Sequence, residues 1–427
     1  MAKEYKTISN LGDVVVGEML LRFANVAVAA LIGRSYGASV LGIYATIIAV
    51  ATLAERLADN GLELTGIAEV SAYPRKVNEI VSALYIDKTI LSTAAIGLLA
   101  IMGWIAGLTT AQWLIAIIIT LRTFVYSYCR LNAGFLKGLN RTRYIAIFQA
   151  THFGLLAICL FSTYFRRPSL ALLLFWVLAA QIVEFSFSSA VLCRIGVHGA
   201  VIRAFFCWNL LRRSTAVGMP YTLWNLMLRA DVVILSLVAS AAVVGTFAAA
   251  NAGLVLVYVI AWQFSGILLS DLGRLSRNTE GFDLHFCKVL RIVVLASMPL
   301  AAIGVSLAKF AVILLFGKNF AAAWLSGAIM MLALPLIFLN ATFLSRLIAK
   351  NETRAALLIF GPVAMLSLLL NYFLGRAYGA AGVAFSIVLR EAVISAFCLR
   401  FRHLPGRLPA SPVTAGAHSE LTSLLNT

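Results

Sequence analysis

Along most of its length the chain repeats one pattern: an apolar run, a short break carrying charge, glycine or proline, then another apolar run. The runs are about twenty residues long, the length a helix needs to cross the roughly 30 Å hydrocarbon core of a bilayer. Inside lipid, only a helix or a closed barrel satisfies every backbone polar group. A barrel strand alternates polar and apolar residues, and that alternation is missing here. Composition agrees: 62% of the 427 residues are hydrophobic and 12% charged, against about a half and a quarter in soluble domains. The expected fold is therefore all-α and integral to the membrane, with twelve transmembrane helices. Their limits are near 11–33, 40–63, 82–107, 112–134, 144–165, 169–193, 214–239, 242–272, 289–315, 321–345, 355–374 and 380–399. The first run is of full span length and carries Asp13, Glu18 and Arg22, unlike the short uncharged core of a cleaved signal. The breaks leave no room for a soluble catalytic domain. Residues 401–427, rich in Pro, Ser, Ala and Thr, read as a disordered cytoplasmic tail.

The formal net charge is +17. Such a surplus can mark a nucleic-acid binder, but here it is not gathered into one stripe or tail. Instead it follows the breaks. Alternate breaks hold 22 lysines and arginines, among them Lys137, Arg141, Arg143, Arg212, Arg213 and Arg346, and the intervening breaks hold five: Arg34, Arg166, Arg167, Lys318 and Arg376. Positive loops stay in the cytoplasm, so both termini are expected there and the number of spans is even. The six cysteines form no CxxC pair and read as reduced packing residues.

The two halves of the chain echo one another. LIGRSYGASVLGIYATIIAVATL (31–53) and ILSLVASAAVVGTFAAANAGLVL (234–256) each leave one apolar helix through a small-residue loop and enter the next through Gly42 or Gly245, 203 positions apart. A second echo links FLKGLNRTR (135–143) to FLSRLIAKNETR (343–354), both basic exits from an even-numbered span. The implied units are a six-helix bundle at 1–213 and another at 214–400. With six spans per unit, both enter from the same side, as parallel repeats about an axis normal to the membrane do. Two bundles around a central cavity make a frame for alternating access.

Ionisable side chains inside spans are costly and usually face a cavity or a partner. Glu18 and Arg22 are four apart on the first helix and share a face. Arg122 lies mid-way along the fourth, and Glu184 is deep in the sixth. Arg229 and Asp231, two apart on the seventh, point in different directions. Arg22 and Arg229 fall at nearly matching repeat positions. Guanidinium groups hold phosphate and carboxylate bidentately, so Arg22, Arg122 and Arg229 are candidate ligands for an anionic cargo. Trp224, with Tyr221 and Phe23, is a candidate for stacking on sugar. Glu18, Glu184, Asp231 and Asp59 are candidates for binding a coupling ion. Glu55, Arg56, Asp59 and Glu63 crowd the cytoplasmic end of the second helix, where interhelical ion pairs or snorkelling account for them better than a site does. His152 reads as a hydrogen-bonded helix residue. No Walker A or HExxH pattern occurs and the five histidines are scattered, so neither ATP hydrolysis, nor a metal, nor another cofactor is expected, and the chain is not expected to be an enzyme.

The stretch IGRSYGASVLGIYATIIAVATLAERLADNGLELT resembles the first-loop region of Wzx-type bacterial polysaccharide and O-antigen flippases, in the multidrug/oligosaccharidyl-lipid/polysaccharide (MOP) exporter superfamily. RADVVILSLVASAAVVGTFAAANAG, LLFGKNFAAAWLSGAIMMLAL and YGAAGVAFSIVLREAVISA extend the resemblance, in order, over nearly the whole chain. The resemblance implies a MATE-like fold in the bacterial inner membrane. It implies a cargo of undecaprenyl-pyrophosphate-linked oligosaccharide, moved from the cytoplasmic to the periplasmic leaflet. It also implies coupling to a proton or sodium gradient, contact with membrane lipids, and glycan polymerases as neighbours. Two other readings stay open on the residues alone: a cation-coupled drug antiporter of the same superfamily, which would want an acidic cavity, and a membrane glycan polymerase or glycosyltransferase, which would want a large outer loop.

Overall fold

The computed structural model describes residues 2–105, 107–166, 169–199, 204–275, 279–350 and 352–401; the tail from residue 402 lies outside them. Among the described residues all regular structure is helical: α1 (Ala2–Asp59), α2 (Leu62–Ala72), α3 (Val77–Ile105), α4 (Thr110–Gly138), α5 (Arg143–Arg166), α6 (Leu170–Arg194), α7 (Ala204–Val238), α8 (Ala241–Leu275), α9 (Thr279–Phe316), α10 (Ala323–Leu332), α11 (Leu334–Ala349) and α12 (Thr353–Phe401), with two short 3-10 turns.

Twelve helices and twelve crossings are not the same list. α1 breaks at Gly37 (φ 85°) and α12 at Gly379 (φ 58°), a backbone region that glycine enters without a Cβ penalty. Each therefore crosses twice. α10 and α11 meet at a 44° bend and together have the length and composition of one broken span. α2 continues the second crossing after the Asn60–Gly61 turn. The spans expected at 11–33 and 40–63 thus lie in one broken helix, because the loop between them is a single glycine and not a coil. Sequence-local signals place other ends: Thr109 caps α4 in a reciprocal box with Gln112, and Ser169 caps α6.

The buried apolar side chains form three clusters. One draws on both halves, from Ala24 to Ile387, and includes Leu41, Phe247, Phe316 and Phe320. A second lies wholly within residues 62–211, and a third within 224–398. The molecule is thus knitted together at one end and split into two separate cores at the other.

The knitted end depends on a close crossing of α1 and α8. A Cβ built on Gly42 would lie 1.8 Å from the Ala241 carbonyl oxygen, and one on Gly245 would lie 1.9 Å from the Ala38 carbonyl oxygen. The contact is reciprocal: Gly42 corresponds to Gly245, and Ala38 to Ala241, at the 203-residue offset read from the sequence. Small residues let membrane helices approach to this distance. Arg34 braces the same end from the side: its Nε donates to the Leu315 carbonyl at 2.8 Å, and its Nη2 donates to the Leu314 carbonyl, both at the exposed C-terminus of α9.

Gly42→Val should lower the thermal unfolding midpoint in detergent, since the clash is with backbone and costs on the order of 1–3 kcal/mol. Gly154→Ala, where a Cβ meets nothing within 4 Å, serves as the control and should match or exceed wild type. Equal midpoints for Gly42→Val and wild type would show that the crossing does not bear on stability.

Candidate functional site

Between the two separate cores lies a cavity of about 260 Å³. α1 supplies Glu18, Arg22, Arg56 and Asp59; α4 supplies Tyr126, Arg130 and Lys137; α7 supplies Trp224, Arg229 and Asp231; α8 supplies Asn251 and Tyr258; and α12 supplies Arg390. It runs down to Gly61, Glu63 and Gly218 and stops about ten residues short of the Gly42–Gly245 crossing, about 15 Å along α1. The cavity therefore approaches the end that carries the basic loops, and the knitted core closes the other end.

Charge in this cavity is uneven, with six cations lining it against four carboxylates. Each carboxylate already faces a cation. Asp59 accepts from buried Lys88 Nζ at 2.5 Å. Glu63 accepts from Arg130 and lies 3.7 Å from Lys137. Glu18 is 4.0 Å from Arg22. Asp231 is gripped by Arg390 Nη1, 3.0 Å from both carboxylate oxygens, and also accepts from Asn371 Nδ2 at 2.8 Å. Arg390 in turn touches Glu391 at 3.3 Å, and Tyr258 donates to Glu391 at 2.9 Å. A second buried acid, Glu55, takes Arg56 at 3.5 Å, Lys88 at 3.6 Å and the Ser127 hydroxyl.

Arg229 stands apart. It forms no salt bridge among the described residues, and its nearest electrostatic neighbours include Arg22 and Arg56, both of like charge. Three guanidinium groups from α1 and α7 thus share one cavity, and one of them is in no salt bridge among the described residues. Like charges held together in a membrane protein cost energy unless an anion or water answers them.

The structure brings Arg22, Arg229, Trp224, Glu18, Asp59 and Asp231 together around this cavity. It does not bring Arg122 or Glu184 to it. Arg122 is turned from α4 onto α1, where its Nη2 donates to Asn25 Oδ1. Glu184 is buried between α5 and α6, 3.0 Å from His152 Nδ1. Phe23 is half-exposed on the outer surface, away from any cargo, and the Tyr221 side chain lies outside the described set. Trp224 packs edge-on against Phe360, with ring centroids 5.3 Å apart. Four residues at or beside the site were not assigned to it by the sequence: Arg56, Lys88, Arg390 and Glu391. Arg56 was better explained as an end-of-helix ion pair. Lys88 and the Arg390–Glu391 pair sit inside apolar runs, and those lone charges are a visible signal.

Fold and cavity together define a multi-pass membrane protein with the architecture of the MOP transporters. The chain superposes on a MATE-family multidrug transporter in an inward-facing conformation with a TM-score of 0.69 at 14% identity, covering 91% of this chain and 97% of that one. The lipid II flippase MurJ in an inward closed conformation gives 0.73 at 14% identity, covering 91% and 87%. A MOP transporter from Pyrococcus furiosus, described as having a binding pocket of reverse polarity, gives 0.69 at 15% identity, covering 93% and 94%. No curated protein sequence matches the chain. The polysaccharide biosynthesis protein family matches residues 13–266, more than half of the sequence, and the chain belongs to that family.

The two kinds of arginine should behave oppositely on removal. Arg390→Met leaves Asp231 and Glu391 without their cation and should destabilise the protein by about 3–5 kcal/mol. Arg229→Met removes a charge that repels its neighbours and should leave the thermal midpoint unchanged or raised. The comparison needs only thermal unfolding in detergent; a loss for Arg229→Met as large as for Arg390→Met would mean that Arg229 is paired.

Proposed function

We propose that the protein is a flippase for an undecaprenyl-pyrophosphate-linked oligosaccharide, the repeat unit of an O-antigen, capsule or exopolysaccharide. It would lie in the bacterial inner membrane with both termini in the cytoplasm, and carry its cargo from the cytoplasmic to the periplasmic leaflet. The observation that carries this reading is the unanswered positive charge: every carboxylate on the cavity wall is matched, while Arg229, beside Arg22 and Arg56, is not. A diphosphate supplies what is missing, with two anionic groups that guanidinium forks hold bidentately in a site poor in water. Trp224 on α7 and Asn251 and Tyr258 on α8 line the same cavity and offer the aromatic face and hydrogen-bonding groups that a sugar uses. Family membership in polysaccharide biosynthesis supports the same cargo class. A drug-cation antiporter, whose relatives share the fold, would place a free carboxylate where Arg229 stands.

The bundles 1–213 and 214–400 would be the units that rock. Separate apolar cores flank the cavity, and the Gly42–Gly245 crossing, which a change of access must part, closes its far end. Membrane lipids would meet the polyprenyl tail, a proton or sodium gradient would drive the cycle, and polymerases of glycan assembly would take the product.

In proteoliposomes, Arg22→Ala and Arg229→Ala should each weaken binding of undecaprenyl pyrophosphate about ten- to a hundredfold, the loss of one charge-assisted contact of roughly 1.5–3 kcal/mol, and cut translocation accordingly. Arg122→Ala, outside the cavity, should leave binding within about threefold of wild type. Wild-type affinity in Arg22→Ala and Arg229→Ala, or tight binding of an organic cation in place of the diphosphate, would defeat the reading.

A further inference from the structure

Asp231, expected to bind a coupling ion, already holds a cation that belongs to the chain. The Arg390 side chain, 1% exposed, reaches from α12 to α7 and ends among five oxygen atoms. Its Nη1 lies 3.0 Å from each carboxylate oxygen of Asp231 and 3.3 Å from the Met227 carbonyl oxygen. Its Nη2 lies 3.3 Å from Glu391 Oε1 and 3.5 Å from the Tyr258 hydroxyl, and Nε lies 3.3 Å from the same glutamate oxygen. α7, α8 and α12 each supply part of this shell. Carboxylate, carbonyl and hydroxyl oxygens gathered from several elements are the donor set of a hard cation. Here a guanidinium stands at their centre.

The acids of this shell have nothing left to offer an ion from solution. Asp231 Oδ1 accepts from Asn371 Nδ2 at 2.8 Å as well as from Arg390, and Oδ2 accepts from Arg390. Glu391 Oε1 takes Arg390 and the Tyr258 hydroxyl, and Oε2 accepts from Asn340 Nδ2 at 2.9 Å. All four carboxylate oxygens are therefore engaged. Because the guanidinium is tethered, it competes at the high effective concentration of an intramolecular ligand. Once displaced, it would lie buried without an acceptor. Neutral oxygens on α12 remain unused: Asn371 Oδ1 and, one turn before Arg390, Ser386 Oγ are buried with no hydrogen-bond partner among the described residues. Asp231, Tyr258 and Arg390 line the main cavity, so a small ion in cavity water has a route to the shell.

We propose that Arg390 is a resident cation. It fills an oxygen-lined cation site of the second half, so that Asp231 takes no ion from solution. Removal of its side chain opens that site to a small monovalent cation such as methylguanidinium or sodium. Arg390 is thus a positioning residue: it stands in for an ion between α7, α8 and α12. A sodium ion that drove transport would have to bind elsewhere than at Asp231. The inference does not depend on which cargo the cavity carries.

Thermal unfolding in detergent at constant ionic strength tests it, with N-methylglucamine chloride, whose cation is too bulky for the shell, as the reference salt. Wild type should unfold at the same temperature in sodium chloride, and millimolar methylguanidinium should not raise its midpoint. Arg390→Ala should unfold well below wild type in the reference salt. It should gain several degrees from methylguanidinium or sodium, as a protein does from a ligand that binds only its folded state. Arg390→Ala combined with Asp231→Asn should lose that gain. Three results overturn the resident cation: no gain for Arg390→Ala from either ion, a gain that survives loss of the Asp231 carboxylate, or a wild type that gains as much from sodium as Arg390→Ala does. If Arg390→Ala folds only when methylguanidinium is present during purification, that requirement is itself the rescue. If it folds in neither condition, Arg390→Lys against Arg390→Gln decides. The lysine keeps a cation and should be recovered in greater yield and unfold at a higher temperature, and equal behaviour of the two overturns the proposal.

Discussion

A charge carried into the hydrocarbon core must meet a counter-charge or water, since nothing else there can solvate it. That constraint sorts the ionisable side chains of this protein into groups with separate tasks. Asp231, Arg390 and Glu391 answer each other within the second half, and Glu55, Asp59 and Lys88 do so within the first. These clusters hold the walls of the cavity in shape. What they leave over is positive, and it sits on α1 and α7, where the two halves face each other across the cavity. The groups that fix the wall are matched inside one half.

The same physics accounts for how the closed end is built. The Gly42–Gly245 crossing is backbone against backbone and reciprocal, and it lies within the apolar cluster that both halves share. The Arg34 brace is a pair of hydrogen bonds to the end of α9 at an exposed site, where water replaces them at little cost. The seam between α1–α2 and α7, at the end that carries the basic loops, uses similar elements: Gly61 packs against Gly218, Asn60 donates to Thr215 at 2.8 Å, and Arg213 meets Glu69 at 3.4 Å.

Most of the fold was legible from the sequence because hydropathy is a direct readout of the bilayer. Gly42 and Gly245, which echo one another in the sequence, meet at the close crossing of α1 and α8. The site was legible only in part. Depth and periodicity brought Arg22, Arg229 and Asp231 to one cavity. They could not say that Asp231 is occupied by Arg390, because those residues are 159 positions apart and meet only through the packing of α12 on α7. Nor could they tell Arg122 from Arg229: both lie mid-helix in apolar surroundings, and only the rotation of α4 toward Asn25 separates them. His152 and Glu184 look like isolated polar residues until the α5–α6 contact joins them.

The pairing of Asp231 with Arg390 narrows where a coupling ion can act. A carboxylate held at 3.0 Å by a guanidinium, and again by an asparagine amide, has both oxygens engaged. To bind a cation it must first displace Arg390, which is itself fully buried and would then need a new acceptor. Asp59 is similarly committed to Lys88, and Glu63 to Arg130. Glu18, at 4.0 Å from Arg22, is the most loosely held acid on the cavity wall, while Arg390 with Asp231 and Glu391 joins α7 to α12 in the second half.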